Sequence, residues 1–426
     1  MKKTFQSFVF GCRVNEAERI QLDRELIQAG FSVDLATPSF IIINTCAITG
    51  KAEREAKQLI YQLRKRHPEA KIVITGCSAT LWQKYSTETA KLADIVVPNT
   101  QKSSLISLLA TSGVAMAQTG RQDTAVVPDK FRRSNRLLVK IQDGCHRFCS
   151  YCIVPYLRGT PQSTKIKDVV AYINSFETLP SEVVLSAINT EAFGKDTGEN
   201  LISLIKAVLA QTKVPRIAFG SIHPWSLTDE FIEYYKSDLS SNPRFVQFFH
   251  VPIQSGSQSV LKLMRREYDI ADIISRLHVI QTIRPDALLA TDVIVGYLGE
   301  TDELFEETVK TLKNSPISRF HVFRFSNRAH TAAYYLKKQL VEPDASIKKA
   351  RSEVLLDLSA RKMLDFTKSL VKTESQALAI APVSDGTKIL LHNHIEAVIA
   401  KNVLPGNLVH VTIVGAQKKG VVCKES

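Results

Sequence analysis

The chain has 426 residues, about 2.8 domain lengths at roughly 150 residues each. Its 44% hydrophobic and 23% charged residues are typical of folded proteins and exclude disordered and collagen-like chains. The net charge of +13 points either to a polyanionic partner such as nucleic acid or only to solubility. The longest uncharged stretch, 103–120, contains too many polar residues for a bilayer helix, so we expect no membrane association.

The first residues superficially resemble a lipoprotein signal that ends at Cys12. Gln6 and Ser7 interrupt its apolar run, which is also too short for a signal peptide. The chain has seven cysteines, and an odd number in a long chain is typical of a reducing compartment. These features predict a cytoplasmic protein.

Residues 1–118 alternate strand and helix patterns. A capping box at Asn15 and Glu18 predicts a helix that ends near Gly30. A second apolar face predicts a helix over 51–66. Strands are predicted at 5–10, 40–44, 72–75 and 94–97. The alternation predicts an α/β domain with a doubly wound parallel sheet.

A polar segment at 119–135 is predicted to be a linker, and residues 136–365 again alternate strands with helices. Six strands are predicted at 136–141, 183–186, 216–221, 245–251, 287–295 and 319–325. The helices between them include 164–178, 227–236, 258–282 and 302–314. Six such units predict a partial (β/α)6 barrel and not the complete eightfold one.

The last part of the chain, 366–426, follows a basic helix at about 345–370 and changes to short strands. Turn residues at 384–386 and 405–407 separate these strands, which predicts a small antiparallel β-barrel. Cys423 lies in the last predicted strand, where we expect a structural role.

Three cysteines with the spacing Cys145-x-x-x-Cys149-x-x-Cys152 lie in a loop directly after a predicted strand. Three thiolates can hold three corners of an iron–sulfur cubane and leave the fourth iron open to a substrate. The alternative is zinc, with His146 as a fourth ligand, although the triad lacks the usual paired Cys-x-x-Cys spacing. We favour the iron–sulfur cluster.

Cys12, Cys46 and Cys77 each follow a predicted strand by one or two residues. Because the carboxyl ends of parallel strands meet at one crevice, these thiols are placed to form a shared metal site. The alternative is three unrelated buried cysteines.

The run from Lys140 to Gly159, with Tyr151 before the third cysteine, resembles the cluster loop of radical S-adenosylmethionine enzymes. The contexts of the three earlier cysteines resemble the N-terminal motifs of the methylthiotransferases among them, the family of MiaB, RimO and MtaB type. The Gly-Cys-Arg-Val-Asn run at 11–15 is most similar to the MtaB-like branch, which acts on N6-threonylcarbamoyladenosine in tRNA.

This resemblance covers nearly the whole chain and implies an auxiliary-cluster domain, a radical domain and a TRAM-like β-barrel. It implies one 4Fe-4S cluster on Cys12, Cys46 and Cys77 that supplies sulfur. It also implies a second on Cys145, Cys149 and Cys152 that cleaves S-adenosylmethionine, which is both radical source and methyl donor. The implied partners are the tRNA anticodon stem-loop, modified at position 37, and an electron donor such as flavodoxin or ferredoxin; no DNA is expected.

The resemblance further implies that five residues line the S-adenosylmethionine cavity. These are Tyr151, Asn189, Ser221, Gln254 and Asp292. Asp292 could instead only satisfy backbone groups, but barrel sites gather at carboxyl strand ends, so we favour the cavity.

The chain departs from the family pattern at 186–187, 297–298, 324–325 and His223. None of these positions is a cluster cysteine. The departures therefore concern the rest of the site, where they leave room for a different substrate. Two alternatives stay within the family: isopentenyladenosine in tRNA, or a ribosomal protein. A third is a catalytically silent iron–sulfur protein that binds RNA or acts as a sensor.

Basic residues form two groups that could bind RNA. One surrounds the cluster loop and contains Lys130, Arg132, Arg133, Arg136, His146, Arg147 and Arg158. The other precedes the β-barrel and contains Lys348, Lys349, Arg351, Arg361, Lys362, Lys368 and Lys372. For the second group, a solvated helix face is the alternative.

Overall fold

The computed structural model describes residues 3–111, 133–417 and 420–425. Most of the predicted linker, together with Lys130 and Arg132, lies outside these residues. The described chain forms two compact units. The first contains 3–111, 143–148 and 152–161, and the second contains 133–142, 149–151, 162–417 and 420–425. No helix in these residues has the length and apolarity needed to cross a membrane.

The first unit contains a five-stranded sheet of order β2-β1-β3-β4-β5 whose paired strands are parallel. The strands are β1 (Thr4–Val9), β2 (Ser32–Val33), β3 (Phe40–Thr45), β4 (Lys71–Gly76) and β5 (Ile95–Val97). The helices are α1 (Arg13–Gln28), α2 (Gly50–Arg66), α3 (Cys77–Tyr85), α4 (Thr87–Ala90), α5 (Leu105–Thr111) and α6 (Val154–Arg158). Apolar side chains pack on both faces of the sheet, as the alternating sequence predicts.

In the second unit, seven strands form two sheets, and six of them pair in parallel with their neighbours. A parallel bridge between Ile217 and Phe245 joins the two sheets. The strands are β6 (Arg136–Asp143), β7 (Gln162–Ser163), β8 (Glu182–Ala187), β9 (Ile217–Phe219), β10 (Phe248–His250), β11 (Leu288–Val295) and β12 (Arg319–Arg324). The sheets end at β7 and β12, so among the described strands the barrel is partial. This confirms the predicted architecture.

Helices alternate with these strands, and one predicted helix is two helices in the structure. They are α7 (Ile166–Asn174), α8 (Leu201–Gln211), α9 (Asp229–Tyr234), α10 (Gln258–Leu263), α11 (Ile270–Ile283), α12 (Asp302–Asn314), α13 (Ala332–Leu336) and α14 (Ala345–Ser369). The single helix predicted over 258–282 is wrong. Arg265 adopts a left-handed φ of 56°, and Asp269 caps a new helix through the Ala271 amide.

The C-terminal strands close into the predicted barrel, of order β13-β14-β15-β17-β16, in which β15 and β17 pair in parallel and the other neighbours pair antiparallel. They are β13 (Glu374–Val383), β14 (Gly386–Leu391), β15 (Glu396–Ile399), β16 (Leu408–Gln417) and β17 (Gly420–Glu425). Cys423 is buried in the core of this barrel, which agrees with a structural role.

The C-terminal barrel packs against the amino-terminal part of the parallel strands. One apolar cluster contains Val184, Phe248, Leu288 and Ala290 together with β-barrel side chains such as Ile389. Because side chains alternate along a strand, the residues two positions further on face the same side. Two positions beyond Phe248 and Ala290 are His250 and Asp292, which belong to the site described below.

Candidate active site

In the first unit, three free cysteines lie at the carboxyl ends of three adjacent strands. Cys12 follows β1 and precedes α1, Cys46 directly follows β3, and Cys77 opens α3 after β4. Since β1, β3 and β4 are neighbours in a parallel sheet, these thiols lie along one edge.

Two glycines allow the chain to pass close to these cysteines. Gly11 and Gly76 have φ values of 98° and 92°. A Cβ atom on Gly11 would lie 2.7 Å from Cys46 Sγ, and one on Gly76 would lie 2.3 Å from the Thr45 carbonyl oxygen. The loop that carries Cys12 therefore lies directly against Cys46.

The three thiols influence one another electrostatically. Burial raises the pKa of Cys46 to about 12, and the neighbouring Cys77 and Cys12 add to this effect. Burial also raises the pKa of Cys12, against the opposing influence of Arg158. Cys46 and Cys77 are buried and Cys12 is half-buried. Thiols that lie this close together are the donor set that an iron–sulfur cluster requires, since metal binding deprotonates them.

Among the described residues, no three His, Cys, Asp or Glu side chains are arranged to hold a single metal ion. The fit of an iron–sulfur cluster to Cys12, Cys46 and Cys77 therefore rests on their chemistry and their common sheet edge.

Arg158 places a permanent positive charge in this part of the first unit. Its buried guanidinium donates to Glu18 Oε1 at 3.0 Å, Asp143 Oδ1 at 2.6 Å and Asn15 Oδ1 at 2.5 Å. Burial lowers its pKa, but Cys77, Glu18 and Asp143 outweigh this and raise the pKa well above its usual value. Arg158 therefore keeps its positive charge beside the cysteines of the first unit.

The capping box predicted at Asn15 and Glu18 is wrong. The N-cap of α1 is Cys12, which makes no side-chain cap hydrogen bond. Asn15 lies inside the helix, where its Nδ2 donates to the carbonyl oxygens of Phe10 and Thr45. Both predicted capping residues instead bind Arg158, a contact between distant segments that outweighs the local pattern.

The second cysteine segment contributes to both units. Cys145 and Cys152 belong to the first, and Cys149 belongs to the second. Within the first unit, the amide of Cys145 donates to the Gly159 carbonyl at 3.1 Å, and the amide of Arg147 donates to Cys145 Sγ at 3.5 Å.

In the second unit, Arg266 contacts the residues around Cys149. The guanidinium donates to Cys149 Sγ at 3.9 Å, to Tyr151 Oη at 3.3 Å and to the Pro252 carbonyl at 2.6 Å. It also lies 4.5 Å from the centre of the Trp225 ring. Tyr151, a predicted cavity residue, is therefore held by a buried cation that sequence reasoning did not select.

Two of the predicted cavity residues are joined through a histidine on the inner face of the strands. Ser221 Oγ lies 2.6 Å from His250 Nδ1, and His250 Nε2 lies 2.9 Å from Asp292 Oδ1. His250 was not predicted as a site residue. The three side chains form a polar chain across β10 and β11.

The other two predicted cavity residues make local backbone contacts. Gln254 has a φ of 70°, and its amide donates to the Asp292 carbonyl at 2.9 Å. Asn189 caps a short 3₁₀ helix by accepting from the Glu191 amide at 3.2 Å. Their contact with S-adenosylmethionine stays a prediction.

His223, a departure from the family pattern, is buried near this polar chain. Burial and the neighbouring Arg266 lower its pKa to about 3, so the imidazole is neutral at physiological pH. It contacts the backbone amide and hydroxyl of Thr190, each at 3.2 Å. Neutral His223 thus adds no positive charge beside Arg266.

Comparison with known proteins identifies two family models in the chain. Residues 139–312 match the Radical SAM superfamily, and residues 4–98 match Uncharacterized protein family UPF0004. The structure is similar to the radical S-adenosylmethionine methyltransferase TsrM from Kitasatospora setae, with a TM-score of 0.53 over 76% of this chain and 75% of that one. Because the identity is 12%, this likeness concerns the fold alone.

Sequence similarity to two relatives identifies the family of this chain. The chain is 33% identical to the threonylcarbamoyladenosine tRNA methylthiotransferase MtaB of Aquifex aeolicus, over 93% of this chain and 96% of the relative. It is 31% identical to a tRNA-2-methylthio-N(6)-dimethylallyladenosine synthase of Thermus thermophilus, over 76% of this chain and 70% of the relative. Together with the radical SAM match and the fold, these identities show that the chain belongs to the MiaB/MtaB-type family and is a radical S-adenosylmethionine methylthiotransferase.

Proposed function

We propose that this enzyme methylthiolates carbon 2 of N6-threonylcarbamoyladenosine at position 37 of tRNA, using two 4Fe-4S clusters and S-adenosylmethionine. The main support is the placement of Cys12, Cys46 and Cys77 at adjacent strand ends. The chain carries this thiol triad in addition to the one at Cys145, Cys149 and Cys152.

The similarity to the Aquifex aeolicus relative supports N6-threonylcarbamoyladenosine as the substrate. That relative is matched over 96% of its length, whereas the Thermus thermophilus relative is matched over 70%. The more complete alignment agrees with the Gly-Cys-Arg-Val-Asn run at 11–15.

The proposed chemistry needs a radical because carbon 2 of adenine has no acidic hydrogen. Cys145, Cys149 and Cys152 would hold a 4Fe-4S cluster, which would supply the electron for the cleavage of S-adenosylmethionine, with flavodoxin or ferredoxin as the electron source in the cytoplasm. The protein's own residues hold the reactants. Arg266 contacts the Cys149 sulfur, and the positive charge of Arg158 interacts with Cys77.

The inner face of the strands provides the remaining contacts. The Ser221–His250–Asp292 chain offers hydrogen-bond donors and acceptors to bound S-adenosylmethionine. The apolar cluster beneath it, which the β-barrel completes, limits water entry from that side.

The test is mass spectrometry of tRNA nucleosides from a deletion strain that carries wild-type or variant genes. We expect the wild type and Cys423→Ala to restore 2-methylthio-N6-threonylcarbamoyladenosine, and Cys46→Ala and Cys149→Ala to fail. Cys423 is the matched control because it lies in the C-terminal barrel core. Normal product from Cys46→Ala would contradict the two-cluster proposal. If the deletion strain instead lacks 2-methylthio-isopentenyladenosine, isopentenyladenosine in tRNA is the substrate. If its tRNA nucleosides are unchanged, a ribosomal protein is favoured as the substrate.

The purified proteins separate an enzyme with two clusters from a silent iron–sulfur protein. We expect about eight iron atoms in the reconstituted wild type and about four in Cys46→Ala, since each triad holds one 4Fe-4S cluster. The reduced wild type should form 5′-deoxyadenosine. Its absence in a protein with full iron content would favour the silent alternative.

A further inference from the structure

An exposed aromatic ring lies on the last strand of the partial barrel. Phe323 belongs to β12, which ends the sheet of order β10-β11-β12, and the residue is 47% exposed. Large aromatic side chains are usually buried, so an exposed ring beside a site is a candidate contact for a ligand.

Phe323 shares a face with the polar chain described above. His321 pairs with Asp292 in the strand register, and its ring centre lies 5.4 Å from that of His250. Side chains two residues apart point to the same side, so Phe323 lies on this face, nearer the carboxyl end of β12. Helix α14 packs along the same strand, where the Phe320 amide donates to Ser359 Oγ.

The segment that contains Phe323 is strongly basic. Residues 319–341, named here the β12–α13 segment, contain five Lys or Arg, two His and no Asp or Glu. Among the described residues, Arg324 and Lys338 have no carboxylate partner, whereas Lys337 pairs with Glu342 at 3.3 Å. A local excess of positive charge favours a phosphate-containing ligand.

Further exposed aromatic rings follow in the same segment. Tyr334 is 49% exposed and Tyr335 is 59% exposed, on helix α13. The Ala333 amide of this helix donates to the Ser150 carbonyl at 2.7 Å, next to Cys149. Exposed rings interleaved with cations are the surface on which unpaired nucleobases stack.

We propose that the β12–α13 segment binds the unpaired bases of the RNA substrate, and that the reacting adenine stacks on Phe323. This inference rests on the proposed function, because it assumes an RNA substrate. The adenine of S-adenosylmethionine is the competing occupant. That molecule carries a net positive charge, which the basic β12–α13 segment would repel, whereas RNA phosphates would be attracted.

The test measures the dissociation constant of an anticodon stem-loop RNA that contains N6-threonylcarbamoyladenosine, using reconstituted full-length protein. We expect Phe323→Ala to weaken binding about 5-fold to 100-fold, the range found when one base–aromatic stack is removed. Phe323→Tyr keeps the ring and should bind within about twofold of the wild type. Tyr61→Ala is the matched control, because Tyr61 is 61% exposed on α2 in the first unit.

Two further measurements can overturn the proposal. The same proteins are titrated with S-adenosylmethionine alone. A Phe323→Ala variant that loses affinity for this cofactor but keeps its RNA affinity would assign the ring to the cofactor. The double variant Arg324→Gln and Lys338→Gln should reduce the slope of log affinity against log salt concentration by about two, one for each lost phosphate contact. An unchanged slope would show that RNA phosphates do not contact this segment.

Failure of this inference differs from failure of the proposed function. If the wild type modifies tRNA and Phe323→Ala binds RNA equally well, only the stacking assignment fails. If the wild type binds the stem-loop but forms no 2-methylthio product, the proposed function fails while the affinity comparison still decides the role of Phe323.

Discussion

Arg266 is a buried cation with no carboxylate partner among the described residues. Its acceptors are Cys149 Sγ, the Tyr151 and Tyr268 hydroxyls, and the Pro252 carbonyl. Arg158, by contrast, is compensated by Glu18 and Asp143. Burying a cation is costly unless polar groups compensate it, and around Arg266 these groups are the sulfur, hydroxyl and carbonyl acceptors.

This contact predicts that Arg266 tunes a cluster bound through Cys149. In Arg266→Gln we expect a more negative reduction potential, because a nearby cation stabilises the reduced, more negative state. A redox titration followed by electron paramagnetic resonance measures the shift. Arg265→Gln is the matched control, since Arg265 is adjacent in sequence but exposed. Equal potentials in both variants would show that Arg266 has only a structural role.

At the residue scale, the sequence predicted where three cysteines lie in the fold, but not which arginines lie beside the cysteines. Cys12, Cys46 and Cys77 could be found because each follows a strand signal, and parallel strand ends converge. Arg158 and Arg266 could not, since Arg158 binds Glu18 across 140 positions and Arg266 reaches Cys149 across 117. No local pattern specifies such long-range pairs.

At the scale of elements, the accuracy of the prediction varies in the second unit: α12 has the predicted bounds, whereas β10 is shorter than predicted. Buried parallel strands are continuous apolar runs, so β11 agrees with prediction to within one residue at each end. The break between α10 and α11 was missed, because the residues at 264–269 continue a helical pattern. Burial of Arg266 and Tyr268 beneath this turn, a tertiary effect, determines the break.

Strand β8 also begins at an ionic network that joins the parallel strands to the C-terminal barrel. Glu182 is fully buried and contacts Arg216 at 2.9 Å, Arg136 at 2.7 Å and His394 at 3.1 Å. Arg216 in turn donates to the carbonyl oxygens of Leu390 and Leu391. One carboxylate therefore compensates two cations at this contact.

Replacing Glu182 by Gln should destabilise the protein by about 3–5 kcal/mol, the cost of leaving a buried cation without its partner. Urea unfolding measures this loss. Glu233→Gln removes a carboxylate from an exposed pair with Lys236 and should change the stability by less than about 0.5 kcal/mol. A loss below about 1 kcal/mol in Glu182→Gln would mean that the network does not hold the two barrels together.

At the scale of the whole molecule, the predicted order of an α/β sheet, a partial barrel and a closed β-barrel is confirmed. The predicted domain boundaries stay predictions. The sequence did not indicate that the C-terminal barrel completes the apolar cluster on the inner face of the parallel strands. Val184, Phe248 and Ile389 meet there from distant segments, and apolar periodicity gives the face of a strand but not its partner.

The contact between the two barrels also predicts how stability depends on pH. Burial lowers the pKa of His394 to about 4, with Arg136 and Arg216 also lowering it and Glu182 opposing them. The unfolded chain binds a proton at this histidine below about pH 6.5, whereas the folded chain does so only near pH 4. The contribution of neutral His394 is therefore complete above pH 6.5 and is lost as the pH falls toward 4.

Urea unfolding between pH 7.5 and pH 4.5 should show this loss. The difference between the folded and unfolded pKa of His394 corresponds to about 3 kcal/mol at the acidic end. His394→Gln keeps a donor for Glu182 but cannot titrate, so its stability should fall less steeply over this range. His278→Gln, at an exposed position on α11, should follow the wild-type curve. If His394→Gln also follows that curve, the acid sensitivity arises elsewhere, and His392, whose pKa burial also lowers to about 4, becomes the next residue to replace.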